Sequence, residues 1–315
     1  MTFLQGRPFS PGYQAIPEPL DGSVVAIGNF DGVHRGHQAL LDRLKQRAAE
    51  FNLPSVVYTF RPHPLHVLLP HRAPKLISTY DQKIALLSKQ GVDLVVEEPF
   101  VGEFSQLSPE DFVQRILKDV LRARVVLSGQ DFRFGHRGAG NVDKLREWGL
   151  EFGMEAEVFP PQREGDLTIS STAVRNAVSA GDLPLAARLL GRPMEYTGVV
   201  VTGAQRGRKL GFPTANMEVE QELLPPYGVY AGFVMIEGTQ YQAVTNIGVR
   251  PTFDGEAVSV EAHVLQFEGD LYGKKLSLEL RKRLRGEQKF ESLETLQQQI
   301  QRDVNDAREV LSKLS

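Results

Sequence analysis

Gly28-Asn29-Phe30-Asp31-Gly32-Val33-His34-Arg35-Gly36-His37 stands between an apolar run, Val24-Val25-Ala26-Ile27, and a helical pattern that opens with Ala39-Leu40-Leu41-Leu44. A buried strand, a glycine-bearing turn and a helix, in that order, open a parallel α/β sheet. Such sheets bind ligands just past the carboxyl ends of their strands. The pattern predicts a helix from near His37 to near Phe51, its free N-terminal amides and positive dipole end facing the turn, a seat for phosphate. Gly28 and Gly32 let the backbone approach a ligand closely. His34 and His37 are three residues apart and can face one phosphate from the first helical turn. Imidazole N–H donors there would stabilise charge growing on an α-phosphate under in-line attack. Two other readings exist, a tight turn with solvated histidines and a zinc site. The latter lacks a nearby third ligand, and the strand, glycines and helix start favour nucleotide handling.

Outward from this loop, short apolar runs alternate with helical patterns. Strands are expected at Ser55 to Phe60, Leu94 to Val96, Val125 to Leu127 and Ala156 to Phe159, and helices at Asp81 to Gln90 and Val142 to Phe152. Ser108-Pro109-Glu110-Asp111 has an N-cap residue, Pro at the first helical position and early acids, which start a helix. The alternation predicts an N-terminal, Rossmann-like doubly wound domain. After a short helix at Leu183 to Leu190, Gly191-Arg192-Pro193 reads as a boundary. Beyond it strand patterns dominate, at Val229 to Ile236, Tyr241 to Thr245, Ser259 to Leu265 and Lys275 to Leu284, and predict a small antiparallel β-barrel. Leu293, Leu296, Ile300, Val304, Ala307 and Leu311 then mark one face of a terminal helix. The expected domains are residues 1–187 and 188–315.

A chain of 315 residues is long for one core, which agrees with two domains. A formal net charge of −3 gives no support to nucleic-acid binding. With no cysteine, disulfides, thiolate metal sites and cysteine nucleophiles are excluded. No apolar run is long enough to span a bilayer and the first twenty residues lack a signal-peptide core, so a cytoplasmic location is expected. A monomer or weak homo-oligomer with small-molecule substrates is expected as well.

Further residues fit phosphate and aromatic ligands. Ser170, Ser171 and Thr172 sit at an expected helix start, where hydroxyls and amides could hold β- and γ-phosphates, with Arg175 one turn on; simple N-capping is the other reading. Phe60, Pro62, Pro64 and Phe134 could wall a flat ligand or belong to the core, and Asp131 could hold a polar ligand edge, a metal or a turn. Arg206 to Asn216, RGRKLGFPTAN, reads as a phosphate-cradling loop or as a solvated turn; it is not a GxxxxGK[ST] loop. Thr214 and Asn216 are two apart, so in an extended segment both oxygens could reach one hard cation.

These stretches resemble one family. His34-Arg35-Gly36-His37 is similar to the HxGH signature of nucleotidyltransferases, and GNFDGVHRGH resembles that of the bacterial bifunctional riboflavin kinase/FAD synthetase family. TFRPHP at 59–64, GQDFRFG at 129–135 and ISSTAVR at 169–175 resemble its next motifs. GRKLGFPTAN at 207–216, NIGVRPT at 246–252, VEAH at 260–263, DLYG at 270–273 and LRGEQKF at 284–290 resemble its kinase motifs. The resemblance implies phosphorylation of riboflavin to FMN in the barrel and adenylylation of FMN to FAD in the α/β domain, each using ATP with Mg²⁺. It implies ATP contacts from Gly28, Phe30, Asp31, Gly36, Ser170, Ser171, Thr172 and Arg175, with His34 and His37 catalytic. FMN would meet Phe60, Pro62, Pro64, Asp131 and Phe134. At the kinase site it implies ATP contacts from Gly203, Arg208, Gly211, Pro213 and Thr214, Mg²⁺ on Thr214 and Asn216, Glu261 as general base, and Arg285 and Glu287 against flavin or a lid. Thr202 stands where many members have His, keeping a hydroxyl and losing the imidazole.

Overall fold

The computed structural model describes residues 2–4, 7–203, 207, 210–252 and 255–314. The chain divides into two compact units, Met1–Ser171 and Thr172–Ser315.

The first unit is built on strands β1 (Thr2–Leu4), β2 (Arg7–Ser10), β3 (Ser23–Ile27), β4 (Ser55–Arg61), β5 (Leu94–Pro99), β6 (Ala123–Gly129) and β7 (Glu155–Phe159). Their order across the sheet is β1-β2-β5-β4-β3-β6-β7. All neighbours pair in parallel except β1 with β2, an antiparallel edge hairpin that the Pro- and Gly-rich N-terminus did not announce. The chain leaves β3 for β4 on one side and later places β6 on the other. The carboxyl end of β3 is therefore the switch point of the sheet. A small ribbon of β8 (Arg163–Glu164) and β9 (Leu167–Thr168) follows.

Alternation along the strands feeds two cores. Val24, Ala26, Val57 and Val125 pack with Leu40, Leu41 and Leu44 of the helix Arg35–Phe51 and with Ile84 and Leu87 of the helix Tyr80–Lys89. Val25, Ile27, Val56, Tyr58 and Val126 pack on the other face with Phe112, Val113, Ile116 and Leu117. Ser108 caps the helix start as expected, but the segment Phe112–Val120 winds as a π-helix, and all four of those apolar residues reach the core.

The second unit is a closed antiparallel barrel in the order β10-β11-β14-β13-β12-β15. Its strands are β10 (Met194–Val201), β11 (Ala215–Val219), β12 (Gly228–Ile236), β13 (Thr239–Thr252), β14 (Gly255–Val264) and β15 (Lys275–Arg285). Two strands, β10 and β11, are additional to the sequence expectation, and β13 extends through the NIGVRPT stretch. The helix Leu183–Leu190 packs against β10 and β15. The terminal helix Leu293–Ser312 seats Val304, Ala307 and Leu311 against Val229, Ala231, Phe233 and Val244. Its apolar stripe is buried only toward the C-terminal end: Leu293 is 65% exposed.

Candidate functional site

The loop after β3 is held under backbone strain. Phe30, Gly32 and Val33 have φ of 51°, 76° and 41°. A β-branched residue at positive φ is a genuine outlier and persists only where its surroundings over-determine it. They do so here. The Asp31 carbonyl accepts from Ser171 Oγ at 3.0 Å, the Gly32 amide donates to Ser78 Oγ at 3.3 Å, and the Val33 carbonyl accepts from Gln38 Nε2 at 2.9 Å. Asp31 is buried, and its carboxylate accepts the amides of Ile77 and Ser78 at 3.1–3.3 Å. Asp31 and the buried ring of Phe30 thus act beneath the loop, as clamp and support.

The helix begins at Arg35, two residues earlier than expected, because His34 is its N-cap. His34 Nδ1 accepts the His37 amide at 3.3 Å. Its ring proton therefore resides on Nε2. The two imidazoles stack with centroids 3.6 Å apart and planes 17° apart, and Phe30 lies 5.1 Å from the His37 ring. A Cβ on Gly36 would come within 3.1 Å of the His34 ring and 3.3 Å of the Ile169 carbonyl, so a side chain here would press on the stacked imidazole. Burial, and then the neighbouring His34, hold the His37 imidazole well below its usual range, and its buried Nδ1 has no hydrogen-bond partner among the described residues. His37 is neutral near pH 7.

That shift carries a stability consequence. Between the depressed folded pKa and about 6.5, the unfolded chain binds a proton that the folded one does not. Stability is full above pH 6.5 and is lost as pH falls below it. A melting series from pH 8 to pH 5 should show a drop on the acid side that is smaller in His37→Ala; equal slopes in both proteins would refute the assignment.

Beside this loop lies a cavity of about 890 Å³, within the range of small-molecule pockets. Phe60, Pro64, Asp131 and Phe134 line it; Pro62 is half-buried and does not. Phe100, Phe104, Phe112 and Phe132 complete an aromatic wall that sequence reading missed, and Asn29 lines the cavity from the loop. Phe132 and Phe134 stack at 5.5 Å and 16°, and Phe60 meets Phe100 edge-on at 5.7 Å. The available signal was position, since Phe100 and Phe104 follow β5 at the carboxyl edge of the sheet. Ser170 and Ser171 stand at the start of the helix Ser171–Ala180, while Thr172 and Arg175 fall in the second compact unit.

In the barrel, Glu261 on β14 lies directly opposite Asn216 on β11 and Asn246 on β13. Their strand neighbours Ala215, Met217, Val260, Ala262, Thr245 and Ile247 are all buried, so the three polar residues share the opposite face. A second cavity, of about 680 Å³, lies between Pro213–Asn216 and Phe267–Tyr272 and is lined by Pro213, Thr214 and Asn216 among others. A Cβ on Gly203 would overlap the Asn216 side chain, so this glycine admits the amide. Gly211 adopts φ 84° in the turn, where the Phe212 amide donates to the Gly207 carbonyl at 2.9 Å. His263 Nδ1 is 2.8 Å from the Pro213 carbonyl and so carries the ring proton. Thr202 is exposed. Arg208 lies outside the described residues.

Arg285 is engaged within the fold. Its guanidinium donates to both oxygens of the buried Asp303 at 2.7–3.1 Å and to the Gly286 carbonyl at 3.0 Å, tying the end of β15 to the terminal helix. Glu287 lies over β13: a Cβ on Gly248 would come 2.5 Å from its Oε1 and 3.4 Å from Asn246 Nδ2.

Comparison with known proteins gives two family matches, FAD synthetase over residues 16–173 and riboflavin kinase over residues 190–311. A bifunctional riboflavin kinase/FMN adenylyltransferase of Pseudomonas fluorescens is 43% identical over 288 residues, 91% of this chain and 92% of its own length. The protein of the same description from Escherichia coli K12 is 41% identical over 292 residues, 92% of this chain and 93% of its own. A crystal structure described as a macrolide-efflux protein from Streptococcus pneumoniae matches with a TM-score of 0.85 at 31% identity, covering 95% of this chain and 98% of that one. Among the described residues, no helix is long and apolar enough to cross a membrane. Both family regions lie in one chain that aligns with these relatives over nine-tenths of its length; the chain belongs to the bifunctional riboflavin kinase/FMN adenylyltransferase family.

Proposed function

We infer that this chain makes FMN from riboflavin and ATP, and FAD from FMN and ATP. The observation that carries the reading is the presence of two separate constellations in one chain; Asn29, at the head of the first, lines one cavity, and Asn216, in the second, lines the other. The stacked histidines occupy the switch point of the α/β sheet, and the Asn216–Glu261–Asn246 row occupies the barrel. We place the division between the activities at residues 187 and 188.

In the first reaction we assign Glu261 as general base. It takes the proton of the riboflavin 5′-hydroxyl as that oxygen bonds to the γ-phosphorus, and ADP leaves. Gly203, Arg208, Gly211, Pro213 and Thr214 form the ATP loop. Thr214 and Asn216 offer neutral, hard oxygens, which suit a Mg²⁺ ion whose charge is balanced by nucleotide phosphates. Bound there, Mg²⁺ would neutralise charge on the transferring phosphoryl group. Arg285 orders the segment that carries Glu287 toward the flavin.

In the second reaction an FMN phosphate oxygen bonds to the α-phosphorus of a second ATP and pyrophosphate leaves. Attack is direct, so the enzyme supplies position and charge stabilisation. His34 and His37 donate to α-phosphate oxygens. Gly28 and Gly36 shape the loop, and Ser170, Ser171, Thr172 and Arg175 receive the remaining phosphates. Phe60, Pro64, Asp131 and Phe134 hold the flavin, with Pro62 shaping the wall from outside the cavity. We place the enzyme in the cytoplasm as a monomer or weak homo-oligomer.

Incubation of the chain with riboflavin, ATP and Mg²⁺, followed by chromatographic separation of flavins, should yield FMN first and FAD later. Accumulation of FMN without FAD would overturn the bifunctional reading.

A further inference from the structure

Lys83 takes no part in the chemistry assigned above, yet its ammonium lies beneath both sides of the adenylyl-transfer cleft. It projects from the helix Tyr80–Lys89 and is 4% exposed. Nζ donates to the Phe60 carbonyl at 2.8 Å and to Thr59 Oγ1 at 3.2 Å, and pairs with Glu97 Oε1 at 3.3 Å. Two of its N–H donors make hydrogen bonds, and the Glu97 carboxylate adds an ion pair. Thr59 Oγ1 passes the contact on, donating to the Asn29 carbonyl at 3.1 Å. Asn29 leads into the strained phosphate loop, and Phe60 walls the aromatic cavity. The start of the same helix is clamped to the loop by Asp31, through the amides of Ile77 and Ser78.

Stability alone does not account for a lysine here. Burying an ion pair costs much of what it returns, and apolar replacements of similar volume are often neutral. Burial pushes the Lys83 ammonium down and the Glu97 carboxyl up, and their mutual attraction opposes both shifts. Asp31 and Arg61 add their charges from the flanking loop and strand, and the Tyr80 ring lies 5.2 Å from Nζ.

We propose that Lys83 is a positioning residue for adenylyl transfer, fixing through Thr59 and Phe60 the distance between the loop that holds the α-phosphate and the pocket that holds the attacking FMN. This rests on the assignment of the cleft to FMN adenylylation. In-line attack tolerates little error, and a displacement of about 1 Å costs about 100-fold in rate.

Two variants test it. Thr59→Val keeps the side-chain shape and the Lys83–Glu97 pair but cuts the link to Asn29. It should lower kcat for FAD formation from supplied FMN about tenfold, with KM for FMN and ATP within about threefold, as a geometric role requires. Riboflavin phosphorylation should not change, and the unfolding midpoint should fall only modestly, since Lys83 loses one buried acceptor; the kcat loss should persist at temperatures well below that midpoint. Lys83→Met with Glu97→Leu removes both buried charges. It should keep a near-native midpoint and still lose about 10- to 100-fold in the same kcat. A merely structural lysine predicts that activity follows the midpoint. Full kcat in Thr59→Val, or in the double variant at a native midpoint, would overturn the proposal; if the double variant does not fold, Thr59→Val decides. A wild-type enzyme that forms no FAD would overturn the functional reading itself, and this inference with it.

Discussion

Glu261→Gln is expected to lower riboflavin phosphorylation by about 10²- to 10⁴-fold, the usual contribution of a general base, while supplied FMN is still converted to FAD. Glutamine has the same shape and keeps the register with Asn216 and Asn246, so strand β14 stays in place. What is lost is a carboxylate able to take the hydroxyl proton. The site tolerates little compensation, because β14 is paired on both edges and cannot bring another carboxylate to the same point. Steady-state FMN formation from riboflavin measures the effect, and FAD formation from FMN in the same preparation is the control. Unchanged kinase turnover would remove Glu261 as base.

His37→Ala is expected to have the complementary effect. Adenylyl transfer should fall by about 10²- to 10³-fold, the cost of removing one donor aimed at developing charge, while riboflavin phosphorylation is retained. The choice of His37 over His34 matters. His34 Nδ1 caps the helix Arg35–Phe51, so its removal would add about 1 kcal/mol of helix destabilisation to any catalytic loss. Alanine at position 37 lies inside the helix, where it is the best helix former, and the cap stays intact. Conversion of FMN to FAD under saturating ATP measures the effect; a loss below threefold would leave the stacked pair without a catalytic role.

Much of this was legible in local pattern. Val24 to Ile27 followed by Gly28, and Leu40, Leu41 and Leu44 on one helical face, can be read along the chain because periodicity and turn chemistry are local properties. The alternation at Leu276, Leu278 and Leu280 is equally direct, and all three are buried in β15. The edge hairpin of β1 and β2 was not legible, since pairing with β5 rather than intrinsic propensity holds β2 in extended form. Nor was the exposure of Leu293, which has the spacing of a core residue but lies where no neighbour among the described residues covers its face of the helix.

The candidate sites divide the same way. His34 and His37 were visible as residues three apart before a helix, but their stacking and the burial that keeps His37 neutral depend on Phe30 and the strained turn. Asp31 reads as a ligand residue and serves as a clamp for Ile77 and Ser78, forty-six and forty-seven residues away. Arg285 reads as a solvated or ligand-facing charge and is held by Asp303.

Both folds and the chemistry-bearing residue types follow from hydrophobic period and motif spacing, which are written along one dimension. Which of those residues meet depends on register and packing. The row of Asn216, Glu261 and Asn246 comes from strand register, and the contacts of Lys83 with Thr59, Phe60 and Glu97 come from packing a helix over two strand ends. Register and packing join residues that are distant in the chain, and no local pattern encodes the partner.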